Sequence, residues 1–572
     1  MPADWSFNGS QERHNFPRQM LAAKLERTAS LPPKKRLQVL LTDLHSRELV
    51  QAMAEEDFYF MFKELGAQDA LPLLELASAE QRQYLLDLEL WRRDRFAPDK
   101  ALEWLSLLNE CGEEAMKQWL RETDPGFICL ILKNFLRVYK AGEEESSHEL
   151  LQLFTVDQVY YLDFLVPESR DMVARMVQAL AAENLLQYHN ILEEIHWNIL
   201  AELEESQLHF RRSRLAEKGF PDLDEALSVY DPLEMEEFRD RLVKYDYLYA
   251  GVPAAAPVAP TYPLLAQPEH TFLRAVLEKI DSEPEVERLR REFAALANQV
   301  MVADGIVPED STTITANLSK VSGYLSVALE ALSNGDLGQA RELLRKAPVG
   351  SLFQVAVGVI FETRRQADRL VISWLRQCGL PIEFLGEPWT SQLQGLLQKR
   401  PKRYVGGTAG EPLYDDFSSH ADVLALDGVV QLAHLVGEVV KGLLPVQTWP
   451  TCWRRLQRSM PESTPLVTWK TAVLTAFVHN WQGEEFVLQP LELRQVIQFL
   501  GELWEPTGRP RRVARQIRQQ FCQWLSALAR RDNQQMAPLC EILCGHLEEE
   551  LGDVSEESLQ RRYLQTLFLV EP

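Results

Sequence analysis

The chain has 572 residues, 46% of them apolar and 25% charged, and a formal net charge of −24. That composition buries a core and excludes a disordered chain, which has fewer aliphatic and aromatic residues. The acidic balance disfavours binding to a phosphate backbone, where cationic side chains supply the affinity, so no nucleic acid partner is expected.

The length fits about two to four domains. Residues 1–30 read as a polar, weakly ordered tail, and the opening MPADWSFNGSQERHNF has no apolar stretch of the kind a secretory signal needs. Helical periodicity begins after Leu31-Pro32-Pro33 and predicts a helical-repeat domain over residues 31–250, which hold roughly −19 of the net charge. Two boxes of the form Ser/Thr-x-acid-Gln-x-x-Tyr mark a faint internal repeat. They are Ser78-Ala79-Glu80-Gln81 before Tyr84 and Thr155-Val156-Asp157-Gln158 before Tyr161. Each offers an N-cap oxygen and a Gln that can reach back to the cap, so each predicts a helix start. Stacked helical hairpins would bury such helices as a superhelix.

In Gln187–Arg211, His189, Glu193 and His196 are spaced four and three residues apart and share one helical face. Imidazole and carboxylate both ligate divalent metals, which makes this the candidate metal site. Glu193-x-x-His196 is also half of a di-iron signature, without a convincing second copy. The plainer reading, a helix border where histidines bridge core and solvent, is preferred.

At Gly251–Pro268, GVPAAAPVAPTYPLLAQP, five prolines block a regular helix and predict an extended linker at the domain boundary. Residues 269–572 follow as a helical C-terminal domain. Ser282-Glu283-Pro284-Glu285 predicts a capped helix with Leu289, Phe293, Leu296 and Val300 on one face and Gly305 as its stop. Leu318, Val321, Leu325, Leu329 and Leu332 form a second stripe, ended by Asn334-Gly335-Asp336. Pro401–Ser418 reads as a flexible connection between two helical subdomains. Its Gly406-Gly407-Thr408-Ala409-Gly410 lacks the Gly-Lys-Ser/Thr ending of a phosphate loop. Ala421–Val446 is the most apolar stretch, but Asp422, Asp427, His434, Glu438 and Lys441 argue against a membrane span.

Arg509, Arg511, Arg512, Arg515 and Arg518 form a basic patch opening a helix, the candidate partner-binding site. It could meet an acidic partner, a nucleic acid or the acidic N-terminal half of the same chain, and without interleaved aromatics a solvated or intramolecular face is the better reading. Cys540 and Cys544 lie one helical turn apart, while His546 projects away on a continuing helix. Seven cysteines with scattered spacing suggest reduced thiols and a cytoplasmic protein.

Three segments carry a family resemblance. In Arg214–Leu233, RLAEKGFPDLDEALSVYDPL, Gly219 can end one helix, Phe220-Pro221 turns the chain, and Asp222 with Glu225 caps the next. With Asp69–Trp91, DALPLLELASAEQRQYLLDLELW, and Leu397–Tyr404, LQKRPKRY, this segment resembles an uncharacterised bacterial family of long helical proteins. The resemblance covers most of the chain and implies no particular activity. Residues 31–200 are also similar to the intracellular N domain of MgtE-type magnesium transporters, an acidic superhelix of short helices. The transporter's membrane helices have no counterpart, so transport is not implied.

The expectation is therefore an all-α protein, with a helical-repeat N-terminal half and a second helical half, serving in the cytoplasm as a scaffold for a protein partner. The alternative is a metal-dependent enzyme or metal-responsive regulator built on His189, Glu193 and His196. No Gly-x-Ser-x-Gly elbow, His-Glu-x-x-His helix or dinucleotide fingerprint occurs, and the sequence names no cofactor and no catalytic residue.

Overall fold

A computed structural model of the chain describes residues 18–29, 31–92, 94–142, 152–248, 260–262, 271–308, 310–408, 411–458, 467–484, 489–506, 511–552 and 567. The protein is 72% helical, and the described strands form only two-stranded antiparallel pairs. The all-α expectation holds. Two compact units divide the chain, residues 1–354 and residues 355–572.

In the first unit, the N-terminal stretch read as a tail includes a helix, Arg18–Ala29, with Leu21 and Leu25 buried. The helix Glu55–Leu65 buries Phe58, Tyr59, Phe60, Met61 and Phe62 in succession, a run possible only for a helix enclosed on most sides. The first capping box forms as predicted: Gln81 N donates to Ser78 Oγ at 3.2 Å and Ser78 N donates to Gln81 Oε1 at 2.9 Å, opening the helix Ala79–Glu89. Gln81 also donates through Nε2 to the carbonyls of Val50 and Met53, so the cap ties this helix to the preceding chain.

The second box does not open a helix. Thr155 Oγ1 accepts the Gln158 N–H at 2.9 Å, and Asp157 Oδ1 accepts from Val159 N and Tyr160 N at 3.0 and 3.1 Å. With Gln158 at φ 59° these bonds close a turn instead. The chain then enters a strand, Tyr160–Phe164, paired antiparallel with Leu136–Lys140, Val138 opposite Leu162 and Lys140 opposite Tyr160. The same oxygens serve a turn or a cap, and the aromatic-rich run that follows favours the strand.

The helix Leu200–Glu217 ends where Gly219, φ 81°, turns the chain, with Phe220 N donating back to Leu215 O. A Cβ on Gly219 would lie 2.5 Å from the backbone of Ala295, so both conformation and close packing demand glycine. Asp222 and Ser282 occupy N-cap positions, but their side chains accept no cap bond. Both predicted stripes are buried, on Glu283–Asp304 and Ser311–Ser333, and these helices end on left-handed Gly305 and Asn334.

Of the proline-rich segment Gly251–Pro268, only residues 260–262 are described, and all three are buried. The Asp57 carboxylate accepts from Thr261 N, Thr261 Oγ1 and Tyr262 N at 2.7–2.9 Å, and the Tyr262 ring stacks on Phe60 at 5.1 Å.

In the second unit, the glycine-rich break is not a plain connection. Arg403–Thr408 pairs with Glu411–Asp415 as a hairpin, and a Cβ on Gly407, φ 110°, would sit 2.5 Å from Glu411 O. Gly407, read as part of a flexible connection, here lets two strands meet. The helix His420–Leu443 opens on a Ser419–Asp422 capping box and buries Val423, Leu426, Val430, Ala433, Val436 and Val440. Among the described residues it alone is long and apolar enough to cross a membrane, and 44% of that stretch is buried within the protein. Around it lie paired aromatics, Trp389 stacked on Trp469 at 5.4 Å and Phe477 tilted against Phe521 at 4.3 Å.

Candidate functional site

The helix Leu185–Trp197 starts at Asn184, whose side chain accepts the Gln187 N–H. Tyr188, Ile191, Leu192 and Ile195 are buried, which turns His189, Glu193 and His196 to the opposite border. There the predicted metal face meets the hairpin described above. His189 Nε2 lies 2.8 Å from Asp157 Oδ2, and His196 Nδ1 lies 2.9 Å from Val138 O. Glu193 accepts from Lys140 Nζ at 2.9 and 3.0 Å, from the Tyr160 hydroxyl and from Trp197 Nε1 at 3.0 Å. The Tyr160 hydroxyl, then Lys140 and Trp197, hold the Glu193 carboxyl down at about 2. Burial alone would raise the Asp157 carboxyl, but the N–H groups of Tyr160 and Val159 and the His189 ring outweigh it and keep it low. Each of the three candidate ligands therefore turns to a different partner. Among the described residues, no group of three or more His, Cys, Asp or Glu side chains converges as a metal site. These bonds tie the strand pair to the helix.

Cys540 and Cys544 are buried, their sulfurs 3.9 Å apart, and Cys540 Sγ lies 3.6 Å from Arg518 O. His546 stays apart from them, its Nε2 3.8 Å from Glu550. In the basic patch, Arg509 lies outside the described residues. Arg518 is neutralised by Glu541 and Glu548. Arg511, Arg512 and Arg515 are exposed where a short bridge, Trp504 to Val513, leads into the helix Arg515–Ala529.

A cleft in the first unit was not predicted. About 380 Å³ in volume, it draws on four separate stretches: Glu55, residues 79–87, Trp119 to Asp124, and Arg214 to Lys218. Its walls are ion pairs. Asp87, 1% exposed at its side chain, receives Arg214 Nε at 2.7 Å and Nη2 at 2.8 Å in a two-pronged bond. Arg211 donates to the Asp87 carbonyl at 2.6 Å and lies over the Trp91 ring. Burial brings the Arg211 guanidinium down to about 10. Arg82, also buried, pairs with Glu122 and donates to Ala77 O, and Lys218 pairs with Glu55 at 2.7 Å. Asp124 caps the helix Pro125–Phe135 and accepts from Gln207 Nε2 at 2.9 Å.

Every cation in the cleft lining thus has a carboxylate, and carboxylates remain. Glu80 and Glu217 are exposed with no ion pair among the described residues, and Asp124 accepts hydrogen bonds only from neutral donors, with Arg214 close enough to feel its charge. Sequence reasoning could not find this site, because its residues meet only through folding. The one available signal was the acidic excess itself. No curated protein and no solved structure matches the chain. A family model does match, over residues 14–571, and the chain belongs to that family, the family of unknown function DUF6178.

Proposed function

We propose that this chain is a cytoplasmic scaffold, its first unit a superhelical stack of helices, that binds a basic protein partner at the acidic cleft. One observation carries the reading: the cations of the cleft are all paired, and Glu80, Asp124 and Glu217 leave its lining with an excess of negative charge. Groups locked to one another in this way hold a shape, and the surplus supplies electrostatic complementarity, which governs encounter and specificity. Cross-linking in the native cell tests it. A partner should be captured by the wild-type chain, and its yield should fall with salt and with Glu80→Lys/Glu217→Lys. Capture that ignores both changes would remove the cleft from the reading.

A second surface is supported by a separate observation, the exposure of Arg511, Arg512 and Arg515 beside the neutralised Arg518. It suits an acidic partner, which Arg511→Glu/Arg512→Glu should release while leaving capture at the cleft intact.

A further inference from the structure

We infer that the cleft binds an organic cation on an aliphatic stem, a primary ammonium or guanidinium group such as lysine and arginine side chains and linear polyamines present. This rests on the scaffold reading above and names what the cleft would recognise. The lining has two parts. Tyr84, Leu86, Trp119 and Leu215 are buried aromatic and aliphatic side chains, which suit a hydrocarbon stem and, through the two rings, a cation. Around them stand Glu80, Glu122, Asp124 and Glu217. Arg82 and Lys218 are paired with Glu122 and Glu55, and Arg214 with the deeply buried Asp87, so an incoming anion would meet no cation that lacks a carboxylate, though Arg82 Nε keeps an N–H with no acceptor. Trp119 adds a second indication. It is 2% exposed, lines the cleft, and its indole Nε1 has no acceptor. A buried donor without an acceptor is costly, and a ligand that brings a carbonyl beside its cation, as a peptide does, would relieve it. The volume of about 380 Å³ is within the range of small-ligand sites.

Calorimetric titration of the full chain tests this with three probes: an acetylated and amidated Gly-Arg-Gly peptide, spermidine and inorganic phosphate. Glu80→Gln/Glu217→Gln removes the surplus charge at exposed positions, and Glu236→Gln/Glu237→Gln removes the same charge elsewhere on the first unit. At least one cationic probe should saturate, weaken about tenfold in the cleft variant, and be unchanged in the control variant. Preference for the peptide assigns the cation to a partner's side chain; preference for spermidine assigns it to a free polyamine. Either supports the site. Saturation by phosphate alone, no saturation by either cation, or equal weakening in both variants overturns it. If cationic probes bind as expected while cross-linking captures no protein, the scaffold reading fails and the site stands. If a partner is captured and no cationic probe binds, the inference fails and the scaffold stands.

Discussion

The two units differ in whether they bury charge. Among the described residues, the buried charged side chains, Arg36, Glu56, Asp57, Arg82, Asp87 and Lys320, all belong to the first unit. The buried polar groups of the second are Thr, Ser and His, set in an aliphatic interior with two ring clusters: Phe384 among Trp374, Trp449 and Trp453, and Phe477 among Phe499, Phe521 and Trp524. A buried ion pair adds little net stability but is costly to break, because the surviving charge stays buried. Apolar packing is the reverse case, favourable in itself and sensitive to shape. The first unit should therefore fail when a charge is left alone, and the second when a volume is wrong.

Breaking the first unit's charges should give the largest effect. Asp87→Ala leaves the Arg214 guanidinium without its carboxylate and should cost about 3–5 kcal/mol in urea unfolding; a loss under about 1 kcal/mol would show that the pair is not buried as described. Next comes Asp57→Ala, which strands the Thr261 and Tyr262 donors at a cost of about 2–3 kcal/mol, with Asp57→Asn milder because it keeps an acceptor. Burial pushes the Asp57 carboxyl up, so the folded protein binds its proton more tightly than the unfolded chain. That contribution is fully present below the usual carboxylate range and is lost as pH rises from there through the raised folded value, a slope that Asp57→Asn should remove from a stability–pH profile.

In the second unit, a Cβ on Gly437 would lie 2.5 Å from the Trp374 ring. Gly437→Ala should cost about 1–3 kcal/mol by overpacking, and calorimetry showing a gain would mean the ring can yield. The smallest effect is at the hairpin. Tyr160→Phe removes the first support of the low Glu193 carboxyl, which should move up from about 2 in an NMR titration. A lowered folded value gives stability that is present above the unfolded carboxylate range and lost as pH falls through about 2, so the variant should lose it earlier on acidification.

How much was legible follows from the range of each interaction. Ser78 and Gln81, Gly305 and Asn334 act within one turn of chain, and sequence read them correctly. Thr155–Gln158 was a local signal with two local outcomes, settled by the strand Leu136–Lys140 upstream. The spacing of His189, Glu193 and His196 did put them on one face, but Lys140, Tyr160, Asp157 and Val138 decided what that face meets. The cleft was beyond reach because no two of its four stretches are adjacent in the chain.

The bond between Asp57 and Thr261 also sets an order of events during synthesis. The two residues are 204 positions apart. A ribosome adding about 5–20 residues per second makes the Asp57 carboxylate wait roughly 10–40 s for its partner to be made. Over that interval the aromatic helix Glu55–Leu65 has neither the donors for its acid nor the Tyr262 ring that stacks on Phe60. The contact can close only after most of the first unit has emerged, so a nascent chain halted before residue 261 should leave the Phe60 side of that helix without its ring partner and open to chaperones.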